Sequence, residues 1–415
     1  MSPVGEGRAP FGAPITALAA YGTRRRLLII GLLLVPVTIL LEVAGIWSNP
    51  EFFGRFPLGH DFVAFWAAAR LFAEGGATLL YDMAEYSALQ AEVSVREGLL
   101  LWHYPPHYLT LVAPLAGLSF AGGFIAFTTV NLLALVSVGR RLIPFPTRVG
   151  WAALLGAPVI AAAVVQGQNG AFFAACLVGG FIARERGSPW LAAGLFALIL
   201  AKPQYGVLIP VVLLAQRDWA GMLRTGLACL VFTGLATAHL GTEIWGHFAG
   251  NTRMLAYSLT EAGLLAQMPT VWAALSLAGF SPQLAMFLHV ALALTAIGTV
   301  WRLWRQPGVS PDLALAAALF GTLMISPYGF RYDMVLTLGG TLLLMRFART
   351  HGWSPVEKLV LALMWLLPAV FPLLAEVSGA QIGPLISLSG LVLCTGWSRR
   401  CIASDTQDVS ASNRE

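Results

Sequence analysis

Few residues of this chain can do chemistry, and they fall in short polar islands between apolar runs. The first island, GHDFVAFWAAARL, sets Asp61 beside His60 at the head of an amphipathic segment. A carboxylate held at a helix start is well placed to take a proton from a hydroxyl group. The same side chain could cap the helix, worth about 0.5–2 kcal/mol, and the two roles are compatible. The second island, LWHYPPHYL, carries His103 and His107. A spacing of four would place two imidazoles on one helix face for a metal, but Pro105 and Pro106 interrupt that helix. The pair is therefore read as hydrogen-bonding or phosphate-contacting, and no metal site is expected.

Three further islands complete the set. In VVQGQNGA, Gly167 and Gly170 punctuate a helical hairpin turn, where Asn169 could cap the next helix. The amides of Gln168 and Asn169 could instead bind sugar hydroxyls. In LAKPQYG, Lys202 interrupts an apolar sequence beside Gln204, and Pro203 opens a new helix. A lysine there either meets a ligand or snorkels to the interface. In ISPYGFRYD, Tyr328 and Tyr332 flank Arg331, whose planar fork suits a phosphate or carboxylate. A local ion pair with Asp333 is the alternative.

These islands must be positioned by helices in lipid. The chain has 415 residues, 57% of them hydrophobic and only 11% charged, with a mean hydropathy of +0.74. Soluble domains carry roughly 25% charged residues. Apolar runs of about 20 residues, each enough to cross the hydrocarbon as a helix, recur from Leu27 to Trp397. They predict an all-α polytopic membrane protein with about twelve transmembrane helices, near 27–47, 120–140, 149–165, 168–183, 189–201, 203–215, 222–240, 282–301, 309–326, 330–346, 355–374 and 381–397. The run at 27–47 is too long for a signal-peptide core and reads as an uncleaved anchor.

Charge arbitrates the topology. If 105–117 and 263–280 do not fully cross, only Arg55, Arg70, Arg96, Lys202, Arg253 and Arg331 of the 25 basic residues lie outside. That bias puts both termini in the cytoplasm and all five islands on the outer face of the cytoplasmic membrane. Residues 1–23 and 401–415 then read as disordered cytoplasmic tails around a single membrane domain, 24–400. Its outer loops are 48–104, carrying the acid, and 241–281. In the first, Phe62, Phe65, Trp66, Ala69 and Phe72 share one helical face, which predicts an amphipathic helix lying at headgroup depth. Cys176, Cys229, Cys394 and Cys401 show no metal-ligand spacing. There is no P-loop, GxGxxG or HExxH, so neither nucleotide chemistry nor a cofactor is expected, and no nucleic-acid partner.

In their order along the chain, these stretches resemble glycosyltransferase family 87, within the polytopic GT-C class. The resemblance runs from a first span through GHDFVAFWAAARLFAEGG and LLYD, HYPPHYLTLVAPLAGL, GQNGAFFAACL and AKPQYGVLIPVVLL to SPYGFRYDMVL, over about residues 27–346. It implies a GT-C-like bundle that moves a hexose, typically mannose, from a polyprenyl-phosphate donor to a lipid or glycan acceptor outside the membrane. It also implies that Asp61 is the base of a single, inverting displacement. The leaving phosphate then needs positive or donor groups, for which Lys202, Arg331, His103 and His107 are the candidates. His60, Gln168, Asn169, Gln204 and Tyr328 are expected to line the same substrate site. A transporter or flippase is the rival reading, although no internal repeat is visible; a GT-C enzyme using another sugar is a second.

Overall fold

A computed structural model describes residues 58–93, 100–144, 148–258 and 262–412. The expected first span at 27–47 and the N-terminal tail lie outside the described residues. All regular structure among the described residues is helical.

The first long interval forms α1 (Phe62–Gly75) and α2 (Met83–Val93), and the double-proline island opens α3 (Pro106–Val112). The bundle follows with α4 (Phe120–Leu142), α5 (Arg148–Leu155), α6 (Pro158–Gln166), α7 (Gly170–Glu185), α8 (Pro189–Leu198), α9 (Leu208–Ala215) and α10 (Trp219–Leu240). The second long interval holds α11 (Ile244–Ser258), α12 (Ala262–Ala266) and α13 (Val271–Leu277). The chain ends with α14 (Pro282–Arg305), α15 (Pro311–Ile325), α16 (Val335–His351), α17 (Pro355–Leu366), α18 (Phe371–Ser378) and α19 (Gly383–Ser412). No Gly or Pro interrupts 397–412, and α19 continues there beyond the apolar run that ends at Trp397.

Ser-Pro pairs start several of these helices. The hydroxyls of Ser281 and Ser310 accept backbone N–H groups in the first turns of α14 and α15, while proline occupies the position that needs no N–H. Ser354 and Glu357 cap α17 reciprocally. Arginines close the opposite ends: Arg140 and Arg141 on α4, Arg302 and Arg305 on α14.

Three helices, α4, α10 and α14, are long and apolar enough to cross a membrane, and up to five spans result if the bent pairs α5–α6 and α17–α18 each count once. The expected number of about twelve exceeds this. Every other expected stretch among the described residues is helical, but most are short or broken: α8 has 10 residues, α9 has 8, and α5 meets α6 at 46°. Neither 105–117 nor 263–280 holds a helix longer than 7 residues, about 10 Å. The outward sides of the long helices are apolar, with Leu223 and Leu230 of α10 75% and 71% exposed and Phe287 of α14 69% exposed. Such a surface suits hydrocarbon and not water.

The expected surface helix at headgroup depth is corrected. Phe62, Val63, Phe65, Trp66 and Leu71 of α1 are buried in protein. Phe62 packs on Phe120, Phe124 and Phe127 at 5.2–5.8 Å, and Phe65 on Trp102, Tyr104 and Tyr108 at 5.2–6.5 Å. Trp66 donates to Leu118 O (3.0 Å), and Tyr86 of α2 donates to Ala64 O (2.9 Å). The apolar stripe is real, but α3, α4 and α2 cover it.

From Phe62, α4 runs roughly 33 Å to the far end of the bundle. There Asp312 pairs with Arg141 and, at 3.2 Å, with Arg346, while Glu185 stands 3.7 Å from Arg141. Arg346 also donates to Arg141 O (2.8 Å) and Arg349 to Pro144 O (2.6 Å). One carboxylate thereby fastens α15 to α4 and α16. Removing one partner of a largely buried pair leaves an uncompensated charge. Asp312→Ala is expected to cost about 3 kcal/mol, read as a lower melting temperature in detergent. Glu74→Ala, which breaks the exposed Arg70–Glu74 pair (3.1 Å), should cost at most about 1 kcal/mol.

Candidate active site

At the other end of the bundle five turns meet, one from each polar island. The turn between α6 and α7 is central. Gly167 ends α6 in the left-handed conformation (φ 72°), and a Cβ there would press on Phe62 Cβ and, at 3.0 Å, on Gly59 Cα. Gly170 lies so close to Tyr332 O that any side chain would collide with it. The turn therefore touches the Asp61 turn on one side and the Arg331–Asp333 turn on the other.

Backbone bonds tie the first contact, Gly59 N donating to Val165 O (2.7 Å) and Asp61 N to Gln166 O (3.0 Å). Asp61 occupies the cap position of α1, yet its carboxylate makes no capping bond. It accepts from Gln168 Nε2 at 2.8 Å, and His60 Nε2 stands 3.6 Å away. The acid thus faces the site. Asn169 likewise leaves α7 uncapped and donates to Tyr104 Oη (2.9 Å). Gln168 Oε1 and Asn169 Oδ1 are buried acceptors with no partner among the described residues. Buried polar atoms are normally satisfied, so two orphaned oxygens beside the acid are places for a ligand's hydroxyls.

Lys202 does not snorkel. It is 4% exposed and donates to Asp333 Oδ1 at 2.6 Å. Tyr104, Tyr205, Tyr332 and Phe173 surround its ammonium at 5.0–5.8 Å. Asp333 Oδ2 accepts from Phe330 N (3.0 Å). The ion pair considered for Arg331 with Asp333 thus belongs to Lys202 instead. Arg331 meets Gln166, whose amide, with its oxygen turned toward the guanidinium, accepts from Nε and Nη2. Its backbone N donates to Gln267 O (3.0 Å), which joins the interval between α10 and α14 to the site. Tyr328 packs against Phe330 at 5.3 Å and Phe330 against Tyr332 at 5.5 Å.

Two expected site residues lie apart. His107 begins α3 and faces α10, its Nε2 3.0 Å from Thr233 Oγ1 and its ring against Phe232 and Trp245. Gln204 is half-exposed at the Lys202 turn and makes no hydrogen bond among the described residues. Conversely, Asp333, Gln166 and Tyr104 join the network without having been singled out as substrate-binding. Each was visible as a polar residue at the end of an apolar run, but no spacing rule shows which such residues meet.

His103 stays near the acid. Desolvation pushes its imidazole down to about 4, against the opposing pull of Asp61, and its Nδ1 has no partner among the described residues. At neutral pH it is an uncharged hydrogen-bonding group.

A helical bundle with an apolar exterior, gathering an acid, unsatisfied amide oxygens and two basic groups at one end, is built as a membrane enzyme. Comparison with known families identifies it further. The profile of glycosyltransferase family 87 matches residues 102–327, more than half of the chain, and the chain belongs to that family. It is a membrane glycosyltransferase. The search of curated proteins and the search of solved structures each return no match. The Asp61 turn precedes the matched region but is bonded to it through Val165, Gln166 and Gln168.

Because His103 is held below the ordinary histidine value of about 6.5, the unfolded chain takes a proton there that the folded chain refuses. Its contribution to stability is present above about pH 6.5 and is lost as pH falls toward about 4. Unfolding free energy measured across that window should decline with acidification, and His103→Gln should flatten the decline. An unchanged slope in the variant contradicts the assignment.

Proposed function

We propose that this protein transfers a hexose, with mannose the leading assignment, from a polyprenyl-phosphate sugar to a lipid or glycan acceptor at the extracytoplasmic end of the bundle. The single observation that carries this is the Asp61 carboxylate, which forgoes the helix cap and is held by Gln168 among the converging turns. In the step that follows, the acceptor hydroxyl gives its proton to Asp61 and its oxygen bonds to the anomeric carbon. The bond from that carbon to the phosphate oxygen breaks, and polyprenyl phosphate departs with the electron pair. Attack opposite the leaving group inverts the anomeric centre.

The other groups then have assignable tasks. Arg331, aimed by Gln166, meets the charge growing on the phosphate. Lys202 sits deeper, and its bond to Asp333 makes it a fixed positive centre behind that site. Gln168 Oε1 and Asn169 Oδ1 are free to accept sugar hydroxyls. The arginine-rich far end, with Arg141, Arg346 and Arg349, supports placing that end in the cytoplasm and the site outside. The alternating helices between the two ends, together with 27–47, fit the expected passes of about twelve, with both termini cytoplasmic. No separate cofactor is needed, because the donor arrives activated.

Asp61→Asn keeps the side-chain shape and its bond to Gln168 within reach but removes the base. In membranes supplied with polyprenyl-phosphate mannose and extracted lipid acceptors, transfer is expected to fall about 10²–10⁴-fold, with an unchanged melting temperature. Full activity in the variant would remove Asp61 as the base. Transfer of a different sugar by the wild type would correct the donor and leave the acid–base assignment standing.

A further inference from the structure

Beside the turn that carries Gln168, a small cavity lies between α4, α6 and α7. Its volume of about 10 Å³ is room for one water molecule. The lining is apolar, Leu132, Ile160 and Ala171 among it, except for three side chains: Thr128 and Asn131 of α4, and Gln168. A cavity with polar atoms at its wall takes up water, whereas a purely apolar one stays dry.

Two of those side chains bring unmet hydrogen-bonding capacity. Threonines inside the helices of this bundle turn their hydroxyl back on the carbonyl four residues earlier, as Thr237, Thr295, Thr299, Thr322 and Thr341 do at 2.8–2.9 Å. Thr128 does not: its Oγ1 is shielded from solvent and has no partner among the described residues. Gln168 Oε1 is in the same condition, although Nε2 of the same amide donates to Asp61 Oδ2 at 2.8 Å. Asn131 fixes the wall beside them. Its Nδ2 donates to Phe127 O (2.9 Å) and its Oδ1 accepts from Phe172 N (3.1 Å), which pins α4 to the first turn of α7 and leaves one N–H and one lone pair over.

We propose that this cavity binds one water, which Thr128 holds against Gln168, and that Thr128 is thereby a positioning residue for Asp61. The Thr128 hydroxyl donates to the water, and the water donates to Gln168 Oε1 and to the spare lone pair of Asn131 Oδ1. With its oxygen so engaged, the Gln168 amide does not turn over; a turned amide would set Oε1 against the Asp61 carboxylate, acceptor to acceptor. The bonds run in one sense toward the acid, and each polarises the next. An amide oxygen has two acceptor positions, so one remains on Gln168 for a ligand hydroxyl. The inference rests on the reading of Asp61 as the base.

The test compares full-length wild type, Thr128→Val and Thr128→Ser in lipid nanodiscs, with polyprenyl-phosphate mannose as donor and extracted lipid as acceptor. Thr128→Val keeps the branched shape and removes the hydroxyl. It should lower kcat about tenfold with KM for the donor and the melting temperature unchanged, since only the aim of the base is lost. Thr128→Ser, which keeps the hydroxyl, should stay close to wild type. In an Asp61→Asn background Thr128→Val should cost nothing further, because it acts through that carboxylate. A wild-type structure that resolves ordered water should show density between Thr128 Oγ1 and Gln168 Oε1, and Thr128→Val should lose it. Wild-type kcat in Thr128→Val, an equal loss in Thr128→Ser, an additive loss on Asp61→Asn, or a dry cavity overturns the proposal. Full activity of Asp61→Asn, with the water present in wild type and lost in Thr128→Val, would keep the water site and overturn the base. An inactive Asp61→Asn with a dry cavity in wild type would do the reverse.

Discussion

The site depends on one tight turn. Between α6 and α7 the chain must reverse within Gly167–Gly170 while lying against two other backbones, those of Gly59 and Tyr332. Only residues without a side chain allow both contacts, and the close approach lets Val165 O and Gln166 O accept from Gly59 and Asp61. Because the backbone is thus fixed, the three amides of Gln166, Gln168 and Asn169 point to three different partners: Arg331, Asp61 and Tyr104. The Asp61 carboxylate, the Arg331 guanidinium and an aromatic wall are thus set by the five residues Gln166–Gly170.

The second constraint is the low dielectric around Lys202. A buried ammonium is stable only when paired and hydrogen-bonded. Asp333 supplies the charge, its second oxygen is used by Phe330 N, and aromatic rings complete the enclosure. This pair joins the end of α8 to the start of α16. The far end of the bundle repeats the logic with Asp312 between Arg141 and Arg346. Ion pairs thus fasten both ends, while the middle is held by apolar packing and exposes Leu, Val and Phe to lipid.

The helical character of every described span was legible from hydrophobic runs, and the islands that carry chemistry were legible as polar interruptions. What covers an apolar stripe was not. The stripe of Phe62, Phe65 and Trp66 has the period of a membrane-surface helix, but periodicity does not say whether lipid or protein covers it, and here it is protein. Pairing was also hidden. Asp333 lies two residues from Arg331, yet Lys202, distant in sequence, takes it because α8 ends and α16 begins at the same level. His103 and His107 part because α3 begins at Pro106, leaving His103 in an extended segment and turning His107 toward α10.

On the proposed reading a lipid-phosphate sugar lies between Asp61 and the Lys202 and Arg331 turns. Cryo-electron microscopy of the protein in nanodiscs with a non-hydrolysable polyprenyl-phosphonate sugar tests it most directly. The phosphonate should lie against Arg331 and the anomeric carbon should face the Asp61 carboxylate across a gap wide enough for one acceptor oxygen. Sugar density at the Arg141–Asp312 end, or a sugar turned away from Asp61, would contradict it.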